Sequence, residues 1–450
     1  MELILEDCKS KELSYYNQPE AFMEIIDKLN KQFADGRLEV ISLCNYNSHS
    51  LPENPVSYEI NSYTSTHNHV VADKCTFFAS HYVGRYSADG IDIVITPRYG
   101  DQIFNYLISY ATNVFVPIGS SNIAKSMSTN SYWLIALLWK SMLNKALTIG
   151  QTPKTYQTVT KNQRNYKGHL NITKHIQANL CDWTKFYCTY KKLSFDNTIN
   201  RAIRCVYSNL KQKGLTTLVS EFEQYDKFLE SMGVSPNVDV SQIENIRYSR
   251  MNAAYSPVMN LSKSILNNIK AESSNAGNNN GCSYFIDIAD LWEMYLLKVL
   301  QRNLPNCYRV FSPNVYNGEF LLNQNMREVR PDIIIEKDGR ILAIIDAKYK
   351  TYRYFGKTSS ESIFVQREDL YQMSTYLYHY GSQEKPIIGL FTSPVRNGKD
   401  NIHTFSRNKN HKIGLVNLDI ESVSNDLSAI HNEESIYVNT ISNLLETIND

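Results

Sequence analysis

The sequence lacks several features that would place it in a familiar class of proteins. Its eight cysteines include no Cys-x-x-Cys pair, which removes the usual signal for a zinc site or a redox motif and favours reduced thiols. The longest strongly apolar run, Tyr132–Trp139, ends against Lys140 and is far shorter than the roughly 18 to 20 residues that cross a bilayer. No G-x4-G-K-[ST] sequence occurs, so we expect no nucleotide to bind this chain.

The amino terminus also lacks the pattern of a secretory signal. The sequence MELILEDCKSKELSYY has acidic residues where such a signal has a basic region followed by an apolar one. With 42% hydrophobic and 20% charged residues, the chain has the composition of a soluble globular protein, and 450 residues suggest two or three domains. We therefore expect a cytoplasmic protein without a membrane partner.

Charge of one sign is absent from two long segments. Gln102–Cys181 contains no Asp or Glu, and Ile413–Asp450 contains no Lys or Arg. The cations of the acid-free segment are Lys125, Lys140, Lys145, Lys154, Lys161, Arg164, Lys167 and Lys174. Clustered cations suit a polyanion such as nucleic acid, although a charged face that is simply solvated is the alternative.

Local patterns predict an α+β protein with several domains. Residues 1–128 are expected to form a β-rich amino-terminal domain, because short β-branched and aromatic runs such as GIDIVITP end at Gly, Pro or Asp-Gly. Residues 129–272 are expected to form a mostly helical connecting region. A long apolar segment there ends at Gly150, and a second segment, SFDNTINRAIRCVYSNLKQKG, repeats its apolar residues at helical spacing.

The carboxy-terminal part follows Glu272–Gly281, a segment rich in turn-forming residues that is the clearest domain boundary in the sequence. Residues 282–450 then contain a helix predicted over YFIDIADLWEMYLLKVLQ, a strand, a hairpin, a helix over REDLYQMSTYLYHYG and a last strand over PIIGLFTSP. This order predicts an α/β domain with a mixed sheet.

The predicted hairpin, RPDIIIEKDGRILAIIDAKYK, carries charged residues that a buried strand pair disfavours. Its Asp-Gly pair predicts the turn. A three-residue loop over Lys337–Gly339 would place Asp332, Asp346 and Lys348 on one face and leave the other face apolar. A two-residue loop would place the two acids on opposite faces unless a bulge intervened. We therefore expect a loop with an odd number of residues, or an equivalent bulge.

Two carboxylates that converge on one face of a buried hairpin repel each other unless a cation lies between them. Their hard oxygen atoms suit Mg²⁺, and Mn²⁺ is expected to substitute for it. Asp332 and Asp346 are therefore predicted metal ligands and Lys348 the catalytic cation, a set that fits phosphodiester hydrolysis. The alternative is structural, because an acid after a proline, an acid at a strand end and a lysine reaching solvent are each common alone.

At this point the sequence resembles a known superfamily. RPDIII followed by AIIDAKYK resembles the PD-(D/E)XK nuclease motif in its Asp-Ala-Lys form, and QMSTY is similar to the Q-x3-Y motif of the RecB-like branch. The resemblance implies a PD-(D/E)XK α/β nuclease domain over 282–450. Gln372 and Tyr376, four residues apart on one helix face, would then contact the active-site strand and the DNA. The helix before the core strands often supplies an acid in this superfamily, which makes Glu293 a candidate catalytic residue and metal ligand, with an ordinary solvated glutamate as the alternative.

The resemblance extends over most of the chain. GIDIVITPRYG, RNYKGHLNI, LSFDNTINRAI, LWEMYL, RPDIII, IIDAKYK and DLYQMSTYLYHYG follow in the order seen in McrC, the nuclease subunit of McrBC modified-cytosine restriction systems, and in its LlaJI-type relatives. It implies a McrB-like AAA+ GTPase ring as partner, engaged by the amino-terminal domain and stimulated by this chain. It also implies double-stranded, modified DNA as substrate. A dimer formed through the nuclease domain is a further expectation.

Four basic residues outside the nuclease motif are predicted to contact DNA. Lys350 and Arg353 lie in KTYRYFGKTS, which mixes cations with aromatic residues as strand-contacting loops do, although a hydrophilic loop is the alternative. Arg164 and Lys167 lie in the acid-free segment, where contact with DNA and contact with the partner ring are equally open.

Together these patterns predict a metal-dependent DNA endonuclease subunit of a nucleotide-driven, modification-dependent restriction system. Two alternatives stay open from the sequence. The chain could be a non-cleaving activator of its AAA+ partner, against which the intact set of two acids and a lysine argues. It could also be a stand-alone RecB-like nuclease that needs only Mg²⁺.

Overall fold

The computed structural model of the chain describes residues 1–14, 19–35, 38, 40–41, 54–61, 74–112, 132–274, 283–313, 319–322, 326–350, 365–382, 384–395, 401–405, 410–423 and 427–449. The chain folds into two compact units, one made of Met1–Thr129 with Gly277–Asp450 and the other of Asn130–Ala276. Among the described residues, no helix combines the length and the apolar character needed to cross a membrane.

The strands of the described residues are, in chain order, β1 (Glu2–Glu6), β2 (Ser10–Ser14), β3 (Val40–Ile41), β4 (Val56–Asn61), β5 (Lys74–Ala79), β6 (Tyr82–Ala88), β7 (Ile91–Thr96), β8 (Thr155–Gln163), β9 (His169–Leu170), β10 (Phe186–Ser194), β11 (Tyr284–Asp287), β12 (Arg309–Phe311), β13 (Glu319–Leu322), β14 (Met326–Val329), β15 (Ile333–Lys337), β16 (Arg340–Ala347), β17 (Ile388–Thr392), β18 (Asn401–Thr404) and β19 (Lys412–Leu415).

The α-helices are α1 (Pro19–Ala34), α2 (Gly100–Thr112), α3 (Trp133–Ile149), α4 (Ile172–Asn179), α5 (Thr198–Gln212), α6 (Thr216–Val219), α7 (Glu223–Ser231), α8 (Val240–Glu244), α9 (Ser256–Ser274), α10 (Ile288–Asn303), α11 (Arg367–Tyr380) and α12 (Ile430–Asn449). Helices α3 and α5 confirm the two helices predicted in the middle region. Helix α9 continues to Ser274, inside the segment that the sequence marks as a linker.

The two ends of the chain share one sheet. Strand β11 lies after the middle unit in sequence, yet it pairs antiparallel with β6 and parallel with β3, in the order β1-β7-β6-β11-β3. Gly84 permits this pairing, because a Cβ atom at that position would lie 2.1 Å from the carbonyl oxygen of Tyr284. The ranges 1–128 and 282–450, predicted as separate domains, therefore lie in one compact unit. Local patterns cannot show such a pairing between strands so distant in sequence.

The candidate site lies on a second sheet of the same unit. Its strand order is β12-β15-β16-β17-β19-β18, with parallel pairing between β16 and β17 and between β17 and β19, and antiparallel pairing elsewhere. The predicted mixed sheet is confirmed. Helix α11 covers one face, where Met373 and Leu377 pack against Ile344 and Phe391 in a buried cluster. This packing fixes α11 beside the strand that carries Asp346.

Helix α10 begins later than the sequence suggested. Residues YFID form strand β11, and the helix starts at Ile288, where the side chain of Asp287 accepts hydrogen bonds from the backbone N–H groups of Ala289 and Asp290. The predicted apolar stripe is confirmed, since Leu291, Tyr295 and Val299 are all buried.

A buried carboxylate connects three helices of this unit. Glu434 of α12 is 4% exposed and accepts hydrogen bonds from the hydroxyls of Tyr106 in α2, at 2.7 Å, and Tyr295 in α10, at 2.8 Å. An unpaired carboxylate would be costly at this depth, so the two hydroxyls stabilise its position. Through these bonds a helix of the amino-terminal range is attached to two helices of the carboxy-terminal range.

The middle unit is not only helical. Besides α3 to α9 it contains the antiparallel sheet β8-β10-β9, which the sequence analysis missed. Strand β8, TYQTVTKNQ, alternates half-buried and exposed residues over its first six positions, as a surface strand does. Its mixture of Thr, Tyr and Gln lacks the apolar alternation on which strand prediction depends.

Candidate active site

The hairpin of β15 and β16 places the two predicted aspartates opposite each other. Ile333 pairs with Ile345, and continuing this register puts Asp332 across from Asp346. The loop has two residues, Asp338 and Gly339, and not three, because Lys337 pairs with Arg340. Both Asp338 and Gly339 have positive φ angles, +52° and +77°, as in a two-residue type I′ turn.

A bulge corrects the register that such a turn would impose. Glu336 pairs with Ile341 and Ile335 pairs with Ala343, so that Leu342 is the extra residue. Ile341 consequently lies on the α11 side of the sheet, packed against the same cluster as Ile344, and not on the opposite apolar face that the sequence suggested. The extra residue therefore does what an odd-numbered loop would have done.

The acids are buried and repel each other. Asp346 is 2% exposed, and Asp332 is fixed by a hydrogen bond that its Oδ2 accepts from the backbone N–H of Ala347 at 2.7 Å. Burial raises the pKa of Asp332 well above its ordinary value, and the neighbouring carboxylate of Asp346 raises it further, while Lys348 lowers it. A positive charge beside the two carboxylates would therefore stabilise their ionised forms.

Lys348 supplies part of that charge. Its Nζ lies 2.9 Å from Asp346 Oδ2 and 3.3 Å from Asp369 Oδ1, and it donates a hydrogen bond to Gln372 Oε1 at 3.3 Å. Burial alone would lower the pKa of Lys348, but the carboxylates of Asp346 and Asp332 outweigh burial and raise it. The side chain is a fixed cation, 18% exposed.

The predicted Q-x3-Y pair organises the site from α11. Gln372 Nε2 donates to the Tyr376 hydroxyl at 2.8 Å, and that hydroxyl donates to the carbonyl oxygen of Arg330 at 2.8 Å. This chain of hydrogen bonds connects Lys348 to the segment that precedes Asp332. Because Tyr376 is only 6% exposed and its hydroxyl is already bonded to the protein, its contact with DNA stays a prediction.

Glu293 approaches the same acids from helix α10. Burial raises its pKa well above the ordinary value, and the carboxylates of Asp332 and Asp290 raise it further. Within the described residues, however, no group of three or more His, Cys, Asp and Glu side chains is arranged to hold a metal ion. The role of Glu293 as a third ligand stays a prediction.

The two aspartates fit a divalent cation by the chemistry of their donor atoms. They offer hard carboxylate oxygens on one face of the hairpin, and the buried Asp346 Oδ2 has the ammonium of Lys348 as its ion-pair partner at 2.9 Å. A cation of the Mg²⁺ type takes water and phosphate oxygens for its remaining positions, so a protein set of two carboxylates suffices.

The structure describes three of the four basic residues that are predicted to contact DNA. Lys350 is exposed at the end of the hairpin and donates to Gln366 Oε1 at 3.4 Å, and Arg353 lies outside the described residues. Arg164 and Lys167 are exposed in the other compact unit, between β8 and β9, where Lys167 Nζ stands 4.7 Å from the centre of the Tyr190 ring. All four stay predictions.

Sequence reasoning missed Asp369. This acid is 7% exposed in the first turn of α11 and forms the second ion pair of Lys348. It precedes Gln372 by three residues, so both project from one side of the helix. That spacing was a usable signal, since any helix that brings Gln372 to the lysine also brings Asp369.

Comparison with known proteins identifies the family. A model of the McrBC 5-methylcytosine restriction system component family matches residues 78–388, more than half of the chain. The chain belongs to the McrBC family. No curated protein matches it.

Two solved structures resemble this McrBC family member. The first is the refined half-complex from a tetradecameric assembly of Thermococcus gammatolerans McrB AAA+ hexamers with bound McrC, with a TM-score of 0.57, 18% sequence identity and coverage of 98% of this chain and 100% of that chain. The second is the cryo-EM structure of the Thermococcus gammatolerans McrBC complex, with a TM-score of 0.40, 18% identity and coverage of 68% and 89%. The predicted likeness to McrC is confirmed.

Proposed function

We propose that the chain is the DNA endonuclease subunit of a McrBC-type, modification-dependent restriction system. The observation that carries the proposal is the juxtaposition of Asp332 and Asp346 on one face of the hairpin with the ammonium of Lys348 beside them. Two carboxylates and a lysine at one point suit the hydrolysis of a phosphodiester, whose reacting group gains negative charge in the transition state.

Asp332 and Asp346 would hold a divalent cation, Mg²⁺ or Mn²⁺, which when bound makes a water molecule more acidic and stabilises charge on the phosphate. Lys348 would act as a cation, since its ammonium lies 2.9 Å from Asp346 Oδ2 at the position where the phosphate gains negative charge. Its ammonium is therefore available to a phosphate oxygen. Gln372 and Asp369 hold that ammonium in position.

A McrB-like AAA+ GTPase ring is the proposed partner. The solved structure with the higher similarity contains McrB AAA+ hexamers with bound McrC, and its McrBC fold resembles this chain over nearly the full length. We expect the amino-terminal part of the chain to engage the ring and stimulate its GTPase activity, and the ring to select modified double-stranded DNA. The cleavage itself belongs to the site at Asp346.

Substitution of Asp346 by alanine tests this division of labour. The product of the adjacent open reading frame serves as partner, and three quantities are measured: complex formation, GTP hydrolysis and cleavage of methylated DNA with Mg²⁺. Asp346→Ala is expected to abolish cleavage and keep the other two. Asp419→Ala is the control, since this acid of the same unit accepts a turn hydrogen bond from the N–H of Ser422.

Each alternative predicts a different result. A non-cleaving activator would stimulate GTP hydrolysis without cutting DNA even as the wild-type chain. A stand-alone nuclease would cut DNA with Mg²⁺ in the absence of the partner. Loss of GTPase stimulation together with cleavage in Asp346→Ala, but not in Asp419→Ala, would contradict separate sites for the two activities.

A further inference from the structure

The residue that follows Lys348 is held by the amino-terminal part of the chain. Tyr349 is 5% exposed, and the segment around it leaves β16 after the N–H of Lys348 has donated to the carbonyl oxygen of Thr392 at 2.9 Å. The pairing of β16 with β17 runs from Ala343 to Ala347, so Tyr349 follows its last paired residue by two positions. Besides the direct partners of its ammonium, the position of Lys348 therefore also depends on what holds the backbone immediately after it.

Arg98 contacts Tyr349 in two ways. Its Nη2 donates a hydrogen bond to the carbonyl oxygen of Tyr349, and its guanidinium lies over the Tyr349 ring, 4.3 Å from the ring centre. The ring of Tyr99, the next residue along the chain from Arg98, lies 4.7 Å from the same guanidinium and meets Tyr349 edge-on at 6.1 Å. A planar guanidinium that stacks and hydrogen bonds at once fixes both the backbone and the ring.

Asp7 fixes the arginine in turn. This residue is fully buried at the end of β1, and one of its carboxylate oxygens accepts a hydrogen bond from the backbone N–H of Arg98. The other oxygen lies 3.8 Å from Arg98 Nε, within ion-pair distance. Strands β1 and β7, which are paired in parallel, are thus followed by two residues that contact each other, and one of them, Arg98, contacts Tyr349.

We propose that Arg98 is a positioning residue that fixes Lys348 through Tyr349, and that Asp7 is a positioning residue that acts through Arg98. The amino-terminal sheet then contributes to the geometry of the nuclease site. This inference rests on the proposed nuclease function. The contacts connect two ranges separated by some 250 residues, as the hydrogen bond from Arg98 to Tyr349 spans 251 positions. A shift of about 1 Å in a catalytic group is enough to reduce a rate about a hundredfold, so this attachment controls cleavage.

The test compares two arginines with matched surroundings. The side chains of Arg98 and Arg204 are each 8% exposed, and each pairs with an aspartate and donates to a backbone carbonyl oxygen. For Arg204 the partners are Asp226, at 2.8 Å, Glu230, at 3.3 Å, and the carbonyl oxygen of Val234, at 2.6 Å, all in the middle unit. Either substitution removes a buried arginine that lies beside an aspartate and donates to a carbonyl oxygen, but of the two only Arg98 contacts the residue next to Lys348.

In the full-length chain with its partner, Arg98→Ala is expected to lower kcat for DNA cleavage at least about tenfold and to change KM by less than about twofold. Arg98→Lys is expected to recover little, because an ammonium cannot stack and donate as the guanidinium does. Arg204→Ala is expected to keep kcat within about twofold while lowering the melting temperature. If Arg98→Ala does not fold, Arg98→Lys provides the comparison.

Amide hydrogen exchange supplies a readout that needs no cleavage. Peptides covering residues 346–350 are expected to exchange faster in the Arg98 variants than in wild type, and unchanged in Arg204→Ala. Equal exchange there in both arginine variants would overturn the proposal, as would faster exchange without a loss of kcat. If the wild-type chain cuts no DNA, the nuclease function fails, and the exchange experiment alone then decides whether Arg98 positions the Lys348 segment.

Discussion

The ammonium of Lys348 lies 3.3 Å from a carboxylate oxygen of Asp369, a residue of helix α11 and not of the motif strand. Lys348 therefore has a second acidic partner besides Asp346, from which it is 2.9 Å away. When a cation occupies the carboxylate of Asp346, the attraction between Asp346 and Lys348 weakens. Asp369 and Gln372 then remain to hold the lysine.

Asp369→Asn is expected to lower kcat for DNA cleavage about tenfold, because the lysine loses the charged partner that the metal does not share. The effect should be smaller than that of Asp346→Ala. Glu368→Gln is the control, since it removes one negative charge from the adjacent, exposed position. Steady-state cleavage rates with saturating partner measure both, and equal rates for the two variants would refute the role of Asp369.

Metal binding should respond in opposite directions to two substitutions at the site. Asp346→Asn is expected to weaken Mn²⁺ binding at least about tenfold, because it removes a carboxylate ligand. Lys348→Met should bind Mn²⁺ at least as tightly as wild type, because it removes a positive charge beside the cation. Isothermal titration of the isolated chain measures both, with Asp419→Asn as control. Unchanged binding in Asp346→Asn would mean that the cation lies elsewhere.

Asp7 should make the chain less stable as the pH rises through the mildly acidic range. Burial raises the pKa of Asp7 to about 6, even though Arg98 opposes the shift. Between the ordinary aspartate pKa and this value the folded state binds more protons than the unfolded state, so the free energy of unfolding falls as pH rises. Over this pH range the titration of Asp7 lowers the free energy of unfolding by about 3 kcal/mol in total.

Asp7→Asn removes that titration. Its free energy of unfolding relative to wild type is therefore expected to rise between pH 4 and pH 7, as measured by urea denaturation at several pH values. The exposed Asp27, changed to asparagine, is the control. A pH profile for Asp7→Asn parallel to that of wild type would show that Asp7 titrates as an ordinary aspartate in the folded chain.

Gly389 lets helix α11 approach the sheet. A Cβ atom at this position would lie 2.5 Å from Met373 Sδ and 2.8 Å from Met373 Cγ, so Gly389→Ala is expected to displace the helix and to reduce both stability and cleavage. Met373→Ala empties the same space. The double variant should be more stable than the sum of the two single losses predicts, by about 1 kcal/mol or more in a double-mutant cycle. Strict additivity would refute the contact.

The sequence by itself determined the chemical part of the site. Residue type and short spacing are local properties. The sequence alone therefore indicated Asp332, Asp346, the lysine two residues on, and the spacing of Gln372 and Tyr376. The long apolar helices and the carboxy-terminal mixed sheet were equally readable, since their hydrophobic periodicity is strong. The family resemblance followed from the same short segments and is confirmed by the match over residues 78–388.

Tertiary structure alone decided how those residues meet. The loop of the hairpin has two residues and Leu342 forms a bulge, an arrangement that depends on the packing of Ile341 and Ile344 under α11 and not on the turn sequence alone. The pairing of β11 with β6 and the contact of Arg98 with Tyr349 join ranges far apart in the chain. Such contacts depend on which surfaces are complementary once the chain has collapsed, and local periodicity does not predict them.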